Sequence, residues 1–185
     1  SYDNVDGVVA VAHTEGGNEL EPNNAELLLR TLSGFIVHAN VGAVLVVDYG
    51  SEFVNNERLR TYMHNNDYPL NSVPHCFMSI KGGFVDFLEK GEIQIRRWLP
   101  VLSTLKRTSE SLKHLRIALQ CGGSDAFSGI SGNPLVAWVA RELIRYGGAA
   151  NLAETDELIG AESYVLQNVR DLETAESFLD MIERF

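Results

Sequence analysis

The feature that most constrains this chain is an alternation: strand-length apolar runs recur between stretches whose apolar residues repeat at helical spacing. A chain patterned this way covers its strands with helices, and strands joined through helices run parallel. Five runs qualify as strands: Val5–Ala12, Ala43–Tyr49, His75–Ile80, Leu115–Gln120 and Ala149–Ala153. Several are apolar almost without interruption, as expected of strands buried on both faces. Between them, residues 24–39 place Leu27, Leu28, Leu32, Phe35 and Ile36 on one helical stripe, with Asn23 or Asn24 as cap. Glu57–Asn65 reads as a short helix and Phe84–Lys106 as a long one, bent near Pro100. Asn133–Tyr146 is capped by Asn133, carries Pro134 in its first turn and ends at Gly147-Gly148. A last helix, Asp171–Arg184, is expected to bury Leu172, Ala175, Leu179 and Ile182.

The fold expected is therefore α/β and three-layered: a mostly parallel, Rossmann-like sheet of at least four strands. Residues 1–185 form a single core region in this reading. The polar segment Lys106–Ser111 either separates two small lobes, of three and two strands, or is an ordinary loop.

Charge narrows the choice of partners. Twenty-five acidic against fifteen basic side chains give a net charge of −10, with no dense basic run, so nucleic acid is not expected. The longest apolar stretches, such as Val41–Val47, fall far short of the roughly 20 residues a bilayer needs, so no membrane partner is expected. Cys76 and Cys121 are widely spaced and form no paired motif, which suits a reducing, cytoplasmic setting. The chain opens Ser-Tyr-Asp-Asn with an apolar run from Val5, and reads as a fragment of something longer. Oligomeric state stays open, a homo-oligomer being one expectation.

In an open parallel sheet, ligands bind beyond the carboxyl ends of the strands, where loops converge and helix N-termini present free N–H groups. Here those positions read His13-Thr14-Glu15-Gly16-Gly17, Asp48-Tyr49-Gly50-Ser51-Glu52, Lys81-Gly82-Gly83, Cys121-Gly122-Gly123-Ser124-Asp125 and Glu154-Thr155-Asp156. The fourth continues to Pro134 through four glycines and three serines, letting backbone amides approach an anion closely. It is neither a P-loop nor a dinucleotide fingerprint, so a carboxylate or sugar acid is a better ligand than a nucleotide. His13, at a strand end, either ligates a metal, moves a proton, or is simply hydrogen-bonded there. Cys121 is a metal-binding or reactive thiol near a helix start, or a small buried hydrophobe. Gly160, inside Glu154–Glu162, argues for a shaped loop.

The run Leu119–Pro134, then Gly147-Gly148 and Ala153–Glu162, closely resembles the galactarate dehydratase/altronate dehydratase family. Residues 4–13 and 40–47 are similar to that family's preceding lobe. The resemblance implies a hydro-lyase converting a sugar acid to a 2-keto-3-deoxy acid with a divalent metal, iron or manganese. Catalytic roles are expected for His13, from its strand-end position, and for Asp125, from its loop together with the resemblance; substrate binding is expected of Gly122, Gly123, Ser124, Asn133 and Lys81, since a chain of net charge −10 needs local donors to hold an acidic ligand. Metal ligands would come from His13, Glu52, Cys121 and Glu154. Two departures bear on this. The family follows its first-strand His with a Gly-rich stretch containing Cys, where this chain has Thr14–Asn18, and it reads Gly-Cys-Glu where this chain has Gly50-Ser51-Glu52. With two thiols replaced, a non-catalytic sugar-acid-binding or structural module is the alternative, and a nucleotide-binding domain a weaker third reading.

Overall fold

The computed structural model describes residues 4–15, 17–123 and 125–185. The chain divides into two compact units, Ser1–Arg107 and Thr108–Phe185. Its architecture is mixed α/β, with two separate two-stranded parallel sheets among the described residues, where the sequence led us to expect one sheet. No helix among them is long and apolar enough to cross a membrane.

In the first unit, helix α1 (Ala25–Ile36) leads to strand β1 (Val44–Asp48), helix α2 (Asn56–Asn65), strand β2 (His75–Ser79) and helix α3 (Phe84–Leu102). β1 and β2 pair in register from Val44 opposite His75 to Asp48 opposite Ser79. Side chains alternate across a strand, so the two faces are read directly. Val44, Val46 and Phe77 pack on the cluster of Ile36, Leu59 and Met63, which puts α1 and α2 on one face. Leu45 lies against Gly91 of α3, and Cys76 and Met78 border a pocket with Ile93 and Gln94, which puts α3 on the other. α2 starts where Asn55 accepts an N–H from Arg58 at 3.0 Å.

Two expectations fail in this unit. Residues 5–12 form no strand, because their backbone groups make no ladder bonds among the described residues, and Val8 and Val9 are 89% and 84% exposed. The buried stripe of α1 also runs through Ala25, Ser33 and Ile36, with Leu29 and Leu32 against the core, while Leu27 and Phe35 face outward. Asn24 occupies the cap position without a side-chain cap bond.

In the second unit, strand β3 (Arg116–Leu119) is followed by helices α4 (Ala126–Ile130) and α5 (Gly132–Arg145), strand β4 (Ala149–Leu152), and helices α6 (Glu162–Asn168) and α7 (Leu172–Arg184). β3 and β4 pair in parallel from Arg116 opposite Ala149 to Leu119 opposite Leu152. Asn133 is not the cap of α5: the helix begins at Gly132, because the short α4 takes up the preceding residues and leaves Ser131 at the junction. α5 closes tightly on β4, where a Cβ on Gly148 would meet Leu143 Cδ1 at 2.5 Å and the Leu112 carbonyl at 2.9 Å. In α7 it is Phe178 that is buried, while Leu172 and Leu179 are exposed; the stripe is rotated from the expected one. Asp171 caps α7, accepting the Thr174 N–H at 2.9 Å.

Candidate functional site

Both sheets present polar groups just beyond the carboxyl ends of their strands. In the first unit, residues 49–52 fold back so that Glu52 accepts the Tyr49 N–H on Oε1 at 2.8 Å and the Ser51 N–H on Oε2 at 3.0 Å. Partial burial acts to raise the Glu52 pKa, but the amides of this turn outweigh it and hold the carboxyl below its usual value. Gly50 makes the turn with φ +81°. Lys81 lies over it: a Cβ there would come within 3.1 Å of Lys81 Cε and 3.4 Å of Nζ, with Ser79 Oγ at 3.8 Å. A carboxylate pinned by backbone amides, with a lysine close by, presents both signs of charge on one rim.

His13 follows no strand; it lies in an exposed stretch of the first unit, so its expected placement at a sheet edge beside Glu52 is not what the structure shows. With residues 5–12 unpaired, no strand ladder among the described residues fixes the imidazole over the rim.

In the second unit, the Glu154 carboxylate crosses from the end of β4 to the end of β3, where its Oε2 accepts the Cys121 N–H at 3.0 Å. Glu154 adopts the left-handed conformation, φ 60°, ψ 43°, which costs a non-glycine residue about 1 kcal/mol or more. Asp125 caps α4, its Oδ1 accepting the Ser128 N–H at 2.8 Å, so one carboxylate oxygen is occupied by a structural bond. Gly122 and Gly123 lie in the bend between, with the Asp125 Oδ2 3.7 Å from where a Cβ on Gly123 would stand. Ser124 lies outside the described residues, and Asn133 sits in the first turn of α5. Gly160 turns the following loop with φ +90° and gives its N–H to Glu162 at 2.8 Å, which keeps that exposed carboxyl's pKa low.

The expected metal ligands divide between the units, His13 and Glu52 in the first, Cys121 and Glu154 in the second. Among the described residues no three His, Cys, Asp or Glu side chains gather as an ion-binding group. The donors as they stand do not fit an iron or manganese site, since Glu52 and Glu154 are turned to backbone amides.

Residues 1–103 match the family described as D-galactarate dehydratase/Altronate hydrolase, second domain, and residues 112–185 match D-galactarate/Altronate dehydratase, C-terminal. The chain belongs to the galactarate/altronate dehydratase family. It is 33% identical over 183 residues to altronate dehydratase of Bacillus subtilis (strain 168) and 32% identical over 181 residues to altronate dehydratase of Escherichia coli (strain K12). Each alignment covers 97% of this chain but 35% of the relative. Galactarate dehydratase (L-threo-forming) of the same Escherichia coli strain is 29% identical over 159 residues, 84% of this chain and 30% of that protein. The chain thus spans about a third of the length of these relatives. No solved structure matches it significantly.

One residue of this dehydratase-family chain, placed by the sequence among those following a strand, has a role that the sequence did not assign. Asp48, at the end of β1, is only 6% exposed; its Oδ2 accepts the Asn56 N–H at the start of α2 at 2.7 Å, and its Oδ1 has no hydrogen-bond partner among the described residues. A lone acid closing an apolar run, eight residues before a helix start, was the available signal.

Proposed function

We propose that this chain is the α/β core of a hydro-lyase that dehydrates a galactarate- or altronate-type sugar acid to a 2-keto-3-deoxy acid. The observation that carries the reading is the match to two consecutive domains of the family over nearly the whole chain. In such a reaction a base removes the proton on the carbon next to the carboxylate, and the C–O bond at the neighbouring carbon breaks. The hydroxyl leaves as water with a proton from an acid, and the enol rearranges to the ketone. Negative charge builds on the substrate carboxylate as the proton departs, so fixed donors there lower the barrier.

Lys81 and the Gly122–Gly123 amides, with Ser124 and Asn133, are the proposed carboxylate and hydroxyl partners. Against a net charge of −10, such local donors are what hold an acidic ligand. His13 and Asp125 are the proposed proton carriers, the second through its Oδ2, since Oδ1 is engaged in capping. Because the donors His13, Glu52, Cys121 and Glu154 do not fit an iron or manganese site as they stand, no step above passes through a metal. The same reading extends to a three-layer, Rossmann-like sheet, which the helices on both faces of β1 and β2 support, and to a cytoplasmic location.

The lack of a three-donor cluster among the described residues, and Ser51 where the family pattern has Cys, favour a second reading: a module that binds sugar acids without turning them over. Calorimetric titration of the chain with altronate and galactarate, beside detection of 2-keto-3-deoxy acid with and without ferrous or manganous ion, separates the two. Binding that weakens at least about tenfold in Lys81→Met is expected, as loss of a charge-assisted contact requires. Product formation supports the hydro-lyase, binding alone the module, and no binding of either acid overturns both.

A further inference from the structure

Residues 5–14 make no backbone hydrogen bonds among the described residues, although Val5, Val8, Val9 and Val11 are of a strand-forming type. The segment is nonetheless fixed at both ends. Asn4 donates from Nδ2 to the Ser103 carbonyl at 2.9 Å and to the Leu105 carbonyl, and Asp6 pairs with Arg107. These anchors lie just beyond the end of α3, whose Leu102 touches Gly42 ahead of β1, so they mark the amino end of the sheet. At the other end, Phe53 donates its N–H to the Asn18 carbonyl at 2.7 Å, and Phe53 follows Glu52 at the carboxyl end. The segment is thus held from one end of β1 to the other, in the same direction. Eight extended residues span roughly 26 Å, enough to run alongside a five-residue strand of roughly 17 Å.

The handedness of the connections selects the edge. β1 reaches β2 through α2, and residues 5–12 reach β1 through α1. Both helices lie on the face of Ile36, Leu59 and Met63. Right-handed crossovers on one face advance across a sheet in one direction, so the incoming segment belongs beside β1, opposite β2, where the edge is unpaired among the described residues.

We propose that residues 5–12 close onto this free edge as a third parallel strand and carry His13 to the rim that holds Glu52 and Lys81. The inference rests on the first unit alone. It also gives the dehydratase reading what the rim lacks, an imidazole placed beside a fixed carboxylate.

Hydrogen–deuterium exchange of the 185-residue chain, without ligand and at two protein concentrations, tests it. The amides of residues 5–12 should exchange at least about tenfold more slowly than in an unstructured peptide, at both concentrations. Asn4→Ala combined with Arg107→Ala cuts the anchor and should speed exchange over 5–12 severalfold, leaving β1 and β2 protected and so reporting an intact fold. Free-peptide rates over 5–12 overturn the proposal. So does protection that appears only at high concentration, which assigns the partner edge to a second copy, or protection indifferent to the double variant. Because no sugar acid is present, none of these outcomes bears on the titration above.

Discussion

The two units solve the same problem, a parallel strand pair with polar groups at its carboxyl end, with unequal means. The first surrounds its pair with helices on both faces and buries Ile36, Leu59 and Met63 as one cluster. The second buries Leu143 and Phe178 separately and leaves Leu135, Trp138 and Phe127 of α4 and α5 more than half exposed. Their rims differ as well. Glu52 is held by amides of its own turn, a local device, whereas Glu154 bridges two strand ends and is fixed only while β3 and β4 stay paired. A rim built locally keeps its shape when the sheet loosens, and one built across strands does not.

Each unit contains one tryptophan, Trp98 in α3 and Trp138 in α5, so the contrast can be measured unit by unit with the other replaced by Phe. The largest effect is expected from Met63→Ala, which empties a fully buried site and should cost about 2–5 kcal/mol in urea unfolding followed through Trp98. The Trp138 transition should stay within about 0.5 kcal/mol of the parent, as it does for distant, independent sites. Equal displacement of both would show that the units unfold as one body. Gly148→Ala should cost about 1–3 kcal/mol, read through Trp138, because Leu143 can yield to the added methyl but the Leu112 carbonyl cannot.

The smallest effect concerns acid. The Thr174 hydroxyl, the Arg170 guanidinium and the Thr174 amide hold the Asp171 pKa at about 2. A depressed carboxylate pKa adds stability above its unfolded value and loses it as pH falls through the folded one. The cap of α7 should therefore weaken between the ordinary aspartate range and about pH 2, visible as an Asp171 carboxyl shift in NMR, and Asp171→Asn should abolish that pH response. A midpoint in the ordinary aspartate range would mean that the cap is open in solution.

Four of the five strands expected from the sequence form among the described residues, because runs such as Val44–Asp48 and His75–Ser79 are both strand-forming and framed by turn residues. Val5–Ala12 was equally legible and is nevertheless unpaired: composition records what a segment is able to do, while pairing depends on a neighbour elsewhere in the chain. Asp125 was legible as a key loop residue, but its capping bond depends on α4, a five-residue helix too short to leave a periodic signature. Glu52 and Lys81 were chosen for their positions after strands; their nearness to Gly50 follows from two turns whose geometry no spacing rule gives. Asp48 was legible as a residue following a strand but not as a buried one, because a strand-end acid reads as solvated unless the helix start it meets is known.

The parallel register of both pairs has a consequence for how the chain acquires its shape. No hairpin can zip either sheet: residues 49–74 must fold back before Val44 meets His75, and residues 120–148 before Arg116 meets Ala149. The entropy of closing those loops is spent before any ladder bond forms, so α2 in the one case and α5 in the other have to dock early and shorten the search. Folding speed is thus set by the crossover helices, and substitutions that stiffen α2 or α5 should accelerate refolding more than changes within the strands themselves.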